Sequence, residues 1–186
     1  MIVLYMSMSL DGFVVGPDDS FDEPMGRGGF RLFNWLDDRN GDGPSAQVYA
    51  EGQATGALIA GRRTYEHARR WQGDHHDGVP MFILTRHVDP DDVPPGTAQY
   101  VTDPAEAAAL AKAAAGDRNV MVHGAGAAQA LLREGLIDEL ELSVVNVLLG
   151  RGRRLFDNLP AEYIELEQVR QLPARDVTHL RYKVVK

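Results

Sequence analysis

Short apolar runs alternate with helix-length amphipathic stretches over the first 135 or so positions of this chain. The spacing predicts strands at about 2–8, 57–60, 81–85, 98–101 and 119–123, and helices at about 46–54, 62–70, 104–115 and 126–134. Strands that recur with a helix between them favour a largely parallel sheet covered on both faces. The Ala-rich stretch 104–115 opens with Asp103-Pro104, an N-cap followed by a proline at the first helical position. Beyond Gly135 the rhythm changes. Glu141 to Leu149, Tyr163 to Arg170 and Val177 to Val185 read as strands with no helix between them, the last two pairing as a hairpin around Leu172–Asp176. The pattern therefore predicts an α/β fold with a mixed central sheet and an antiparallel edge. Between Gly16 and Pro44 the chain is rich in Asp and Gly, yet Phe30, Leu32, Phe33, Trp35 and Leu36 interrupt it. A long loop with a short packed helix is expected there, and such loops often cover active sites.

Composition narrows the class. At 186 residues, 44% hydrophobic and 25% charged, the chain suits one soluble domain, 1–186, with a proper core. No apolar run approaches the roughly 20 residues needed to span a bilayer, and Met1–Met6 reads as a first strand rather than a signal peptide. The absence of cysteine removes disulfides, thiolate metal sites and a cysteine nucleophile, and a cytoplasmic setting is expected. A formal charge of −8 argues against a nonspecific nucleic-acid binder. Against it, Arg62-Arg63, Arg69-Arg70 and the Arg151, Arg153, Arg154 group stand out.

Three turns carry the candidate chemistry. Ala57–Ala60 is a short buried strand that breaks at Gly61 into Arg62-Arg63-Thr64-Tyr65, so a helix start and two positive charges address one spot, as in a phosphate site. A glycine turn with arginines kept for solubility has the same sequence. The second turn, Val122-His123-Gly124-Ala125-Gly126-Ala127, follows another apolar strand. Its small residues let the backbone approach a ligand closely, or serve only helix–sheet packing, and Gln129 stands where a dinucleotide fingerprint wants a third glycine. The third ends a buried strand in Thr85-Arg86, where Arg86 either meets a ligand or snorkels at the surface. Arg62, Arg63 and Arg86 around one phosphate would prefer a 2′-phosphorylated adenosine, which points to NADPH over NADH. Asp11, after the first strand, is a candidate proton donor or an ordinary Asp-Gly turn residue. The neighbours His75 and His76 diverge in direction and lack a second ligand pair, so no metal is expected.

Taken in order, Ser9-Leu10-Asp11-Gly12, Gly61-Arg62-Arg63-Thr64-Tyr65, Leu84-Thr85-Arg86, the Gly124 turn, Gly135–Leu140 and Leu148-Leu149-Gly150 through Leu155-Phe156 resemble the dihydrofolate reductase-like family. More closely, the chain looks like stand-alone relatives of the RibD carboxy-terminal domain, the reductase half of a riboflavin-biosynthesis deaminase-reductase. The resemblance implies a three-layer α/β/α fold, NADPH as hydride donor and a homodimer. It implies that Gly61, Arg62, Arg63 and Thr64 hold the cofactor phosphates and that Thr85 and Arg86 lie near the adenosine ribose or its phosphate. By the same likeness His123, Gly124, Ala125, Gly126 and Ala127 line the pyrophosphate and nicotinamide side. Asp11 would lie near nicotinamide and substrate, with Val14, Val15 and Gly16 looping over it. Ser9, Phe33, Trp35 and Asn146 are the expected substrate lining.

The departures concern the substrate. Val122-His123-Gly124 stands where riboflavin-pathway reductases usually show Glu-Gly-Gly, and Asn146-Val147 stands where Pro-Val usually precedes Leu-Leu-Gly. A cis bond of the Gly-Gly kind would be costly at His123-Gly124, about 3–4 kcal/mol. The helix acid that grips a pterin has no clear counterpart beyond Asp37 or Asp38. The expected activity is hydride transfer from NADPH to a carbonyl or imine of a small heterocyclic or sugar-like compound, related to 5-amino-6-(5-phosphoribosylamino)uracil reductase. The alternative is a reductase-like scaffold that binds a nucleotide or partner without turnover.

Overall fold

Strand β1 (Ile2–Ser9) is buried along both faces, and the rest of the molecule is laid out around it. The structure, a computed structural model, describes residues 1–186. A three-residue strand β2 (Phe13–Val15) follows, then a 3₁₀ segment at Gly29–Asp38. The alternation expected from the sequence comes next: α1 (Pro44–Gln53), β3 (Ala57–Gly61), α2 (Arg62–His67), β4 (Met81–Leu84), β5 (Ala98–Val101), α3 (Pro104–Ala115), β6 (Val120–His123), α4 (Ala125–Arg133) and β7 (Glu139–Val145). A two-residue strand β8 (Arg153–Arg154) pairs with β2, and β9 (Leu166–Ala174) and β10 (Val177–Val184) close the chain.

The main sheet has eight strands in the order β5-β4-β3-β6-β1-β7-β10-β9. Pairings from β5 through β7 are parallel, whereas β10 runs antiparallel to β7 and β9 to β10. The strands from β5 to β7 therefore all present their carboxyl ends to one edge. Each face has its own core. Ile2, Leu4, Ile59, Val122 and Leu140 pack against the buried alanines of α3 and α4. On the other face Val3, Leu58, Ile83 and Met121 enclose Tyr65. Small side chains at Ala107, Ala108 and Ala111 bring α3 close to the sheet, and Asp103 caps it by accepting the Glu106 N–H at 2.7 Å. No helix is long and apolar enough to cross a membrane.

Three boundaries differ from the sequence pattern. The strand expected to reach Leu149 ends at Val145, because the loop that follows is claimed by other partners: Asn146 N–H donates to the Asp176 carbonyl, and Leu149 and Gly150 N–H donate to Asp11. Strand β9 starts at Leu166 rather than Tyr163. Helix α2 stops at His67, and Arg69, Arg70, Trp71 and Gln72 then take positive φ of 52°, 55°, 44° and 52°. Four non-glycine residues in that region cost on the order of 1 kcal/mol each or more. The reversed turn sets the Trp71 ring against Tyr65, centroids 5.7 Å apart, and edge-on to His75 at 4.8 Å.

Candidate active site

Above the carboxyl ends of β3, β4 and β6 the wall of a cavity of about 1250 Å³ is built from the three expected turns: Gly61 to Thr64, Leu84 to Arg86, and His123 to Ala127. The first and third interlock. A Cβ at Gly124 would lie 2.2 Å from Thr64 Oγ1, and one at Gly61 3.4 Å from the Ala127 nitrogen. Gly124 also has φ +91°, a conformation that other residues resist. The His123-Gly124 bond is trans, as are all others. No side chain caps α2 or α4, so their first-turn N–H groups remain available to a ligand. At Gly126 an added Cβ would meet nothing within 4 Å.

The arginines divide by what already holds them. Arg62 donates from Nε to Glu66 at 2.7 Å, reaches Asp92 with its other arm, and lies 4.3 Å over the Tyr100 ring. Arg70 shares both carboxylates. Burial would lower the Arg62 pKa, but the Asp92 hydrogen bond and the neighbouring negative groups outweigh it and hold the pKa above its usual value. Burial and Asp92 push the Tyr100 phenol up to about 12. Arg62 thus lines the cavity with its charge already compensated, which fits poorly with the phosphate role expected of it. Arg63 is held at 2.7 Å by Asp19, which also draws in Arg153 at 3.4 Å and His67 at 3.7 Å. Burial raises the Asp19 pKa, but the Arg63 hydrogen bond and the Arg153 charge prevail and keep it below the usual carboxylate range. Arg86 is exposed and has no ion-pair partner.

Polar groups on the central strands floor the other end of the cavity. Tyr5 and Ser7 of β1, Glu141 and Ser143 of β7, and His123 of β6 line it, faced by Val48, Tyr49 and Gln53 of α1 and by Phe33, Trp35 and Leu36. Trp35 Nε1 donates to Ser7 Oγ at 2.8 Å. Ser143 Oγ lies 2.9 Å from His179 Nδ1, and Ser45 Oγ lies 3.2 Å from His179 Nε2. Arg170 donates to Glu141 Oε2 at 2.7 Å and, with Arg181, to Glu51. Burial pushes the Glu141 carboxyl and the Tyr5 phenol up, and the arginines oppose both shifts. His75 also faces the cavity, where burial, with His123 and His76 beside it, lowers its pKa to about 3.

The expected residues do not all gather here. Val14 and Val15 line the cavity, as do Thr64, Thr85, Phe33 and Trp35. Gly16 does not. A Cβ there would lie 2.2 Å from the Arg27 carbonyl oxygen, so this glycine is needed for the loop to pack on itself. Asp11 does not reach the cavity either: its carboxylate accepts hydrogen bonds from Ser9 Oγ at 2.6 Å, Leu149 N–H at 3.1 Å and Gly150 N–H at 2.7 Å. Burial raises its pKa, yet these bonds hold it below normal, the wrong direction for a proton donor. Ser9, wholly buried, serves Asp11 and accepts from Phe13 N–H, and Asn146 is exposed on the loop held by Asp11. Asp37 and Asp38 are exposed and stand outside the cavity; the acid on its floor is Glu141. A Glu inside the apolar run Leu140–Val145 was its only signal in the sequence.

With this geometry in place, a profile of the RibD C-terminal domain matches residues 1–178. The chain belongs to the RibD C-terminal domain family. A curated relative, the uncharacterized protein YwjB of Bacillus subtilis (strain 168), is 29% identical over 164 residues, covering 86% of this chain and 84% of YwjB. Among solved structures, the putative riboflavin biosynthesis protein of Shewanella sp. PV-4 superposes with a TM-score of 0.74 at 20% identity, over 99% of this chain and 98% of that one. Dihydrofolate reductase from Enterococcus faecalis, complexed with NADP(H) and RAB-propyl, gives 0.63 at 13% identity, covering 100% and 97%. The mixed three-layer sheet with its carboxy-terminal hairpin is thus the RibD C-terminal and dihydrofolate reductase-like fold.

Proposed function

We propose that this RibD C-terminal domain protein is an NADPH-dependent reductase acting on a carbonyl or imine of a small heterocyclic or sugar-like compound. What carries the proposal is the convergence of three strand-end turns, with uncapped helix starts and the unpaired Arg86, on one cavity large enough for a dinucleotide and an acceptor together. Those features fit the cofactor. Arg86 would meet the 2′-phosphate, while Arg63 and the free N–H groups of Ala125, Gly126 and Ala127 would hold the diphosphate. Bound NADPH would supply the hydride.

The chain's own part is positioning and shielding. Gly124 lets the turn close on Thr64, Trp35 and Phe33 wall the floor from solvent, and His123 stands between the cofactor turn and the acceptor end. Asp11 has no part in proton transfer in this proposal; the proton comes from water, because burial also lowers the His123 pKa and keeps its imidazole neutral. A homodimer belongs to the same proposal, since edge strand β9 presents Leu166 and Val169 to solvent with Tyr163 just before it. Sedimentation would report a species of twice the chain mass.

Titration with NADPH, followed by nicotinamide fluorescence, should saturate, with NADH weaker by about tenfold or more. No binding of either cofactor up to about 1 mM would overturn the proposal. Consumption of NADPH against pterins, pyrimidine ribitol precursors and small aldehydes then separates reductase from scaffold. Binding without turnover on any of these would favour the scaffold.

A further inference from the structure

Three adjacent strands bring His123, Tyr5 and Glu141 into one row. Tyr5 and Glu141 are register partners, and the β1–β6 register that pairs Leu4 with Val122 continues to Tyr5 and His123. All three line the cavity. With neighbouring strands about 4.8 Å apart, the row is roughly 10 Å wide, the breadth of a small planar ring system. Other polar groups on this floor satisfy one another: Ser7 with Trp35, and Ser143 with His179 and Ser45. Two do not. Glu141 Oε1 and His123 Nδ1 are buried without a hydrogen-bond partner.

Glu141 is the stronger marker. Its side chain is 1% exposed, and only Oε2 is engaged, by Arg170 at 2.7 Å and Arg181 at 3.6 Å. A buried carboxylate oxygen with no donor is costly, and a ligand N–H removes that cost. Around it Glu51 and Glu139 match Arg170 and Arg181 two for two, so the net negative charge of the cluster is that of Glu141 itself.

We propose that Glu141 is the recognition carboxylate of the acceptor subsite, and that the acceptor is a planar compound presenting N–H donors on that edge, cationic or neutral but not anionic there. The inference rests on the reductase proposal for this cavity. With Glu141 holding the donor edge, the opposite edge lies toward His123 and the turn that begins at Gly124.

Three compounds of one size test it: benzamidine, benzamide and benzoate, titrated against the protein by quenching of Trp35 and Trp71, both on the cavity wall. About 0.5 M salt screens the long-range field of the acidic protein. Benzamidine is expected to bind about tenfold tighter than benzamide, and benzoate not at all. Glu141→Gln, which keeps shape but turns an N–H₂ toward the ligand, should erase the benzamidine preference while NADPH affinity stays within about twofold. Benzoate binding as tightly as benzamidine, no benzamidine binding, or an unchanged preference in Glu141→Gln would each overturn the inference. Should the variant not fold, the order of the three affinities in the wild type decides alone. Failure of NADPH to bind with the benzamidine preference intact would sink the cofactor proposal and leave a cation-selective subsite at Glu141.

Discussion

The Asp19 carboxylate holds the Arg63 guanidinium through both Nε, at 2.9 Å, and Nη2, at 2.7 Å. Both residues line the cavity, so a loop carboxylate sits on the arginine that the proposed function assigns to a phosphate. An incoming diphosphate has to displace it. Asp19→Asn should therefore tighten NADPH by about three- to tenfold, the reverse of the usual outcome of disturbing a binding site. Fluorescence titration of both proteins checks this. Weaker binding in the variant would mean that Asp19 holds the loop in place for the cofactor instead of competing with it.

Arg86 and Arg62 should separate affinity from stability. Arg86→Ala removes an exposed, unpaired charge and is expected to weaken NADPH about tenfold while leaving NADH and the melting temperature unchanged. Arg62→Ala leaves Glu66 and Asp92 short of a shared cation. Loss of that partly exposed network should lower the Tm by about 2–4 °C for a chain of this size. A selective loss of NADPH affinity in Arg62→Ala would return the phosphate role to Arg62.

Two glycines in one turn should behave oppositely. Gly124→Ala places a Cβ 2.2 Å from Thr64 Oγ1 at φ +91°, and a loss of about 2–4 kcal/mol in urea unfolding is expected. Gly126→Ala meets no atom within 4 Å and should leave stability unchanged or slightly raised. If the cofactor backbone passes over this turn, Gly126→Ala will nonetheless weaken NADPH, and the two measurements together tell packing from contact.

His179 predicts acid sensitivity. It is fully buried between Ser45 and Ser143, and burial, with the Arg170 charge, lowers its pKa from 6.5 to about 4. Between those values the unfolded chain takes up a proton that the folded chain refuses, so stability falls as pH falls through the window. The loss should reach about 2 kcal/mol at pH 5 and level off below about pH 4. His75, depressed to about 3, acts in the same direction. Urea unfolding at pH 7 and pH 5 should show a smaller difference in His179→Gln than in the wild type.

Much of this architecture was legible because buried parallel strands are plain apolar runs. Leu58-Ile59-Ala60, Met81-Phe82-Ile83 and Val120-Met121-Val122 could be little else once glycines and helix-length stretches bounded them. The turns after them were legible for the same reason, since a strand must end before a helix begins. What escaped has no periodicity to betray it. Strand β8 is two residues long, and the turn from Arg69 to Gln72 reverses hand without a glycine. Asp19 and Glu141 reach the cavity from a loop and from the neighbouring strand, so only tertiary folding brings them beside Arg63 and Tyr5. Asp11 misled because a carboxylate after a central strand has the same sequence whether it faces a ligand or ties down the next loop.

The strand order divides the cavity's work along a seam. The arginine-bearing and glycine-bearing turns belong to β3, β4 and β6, whereas Tyr5, Ser7, Glu141 and Ser143 belong to β1 and β7, and the two halves meet between β6 and β1. Under the proposed function, a change of acceptor would fall on four positions of two strands while the turns opposite stay as they are. His123, alone on the seam, is the position at which such an exchange would have to be negotiated with both halves at once.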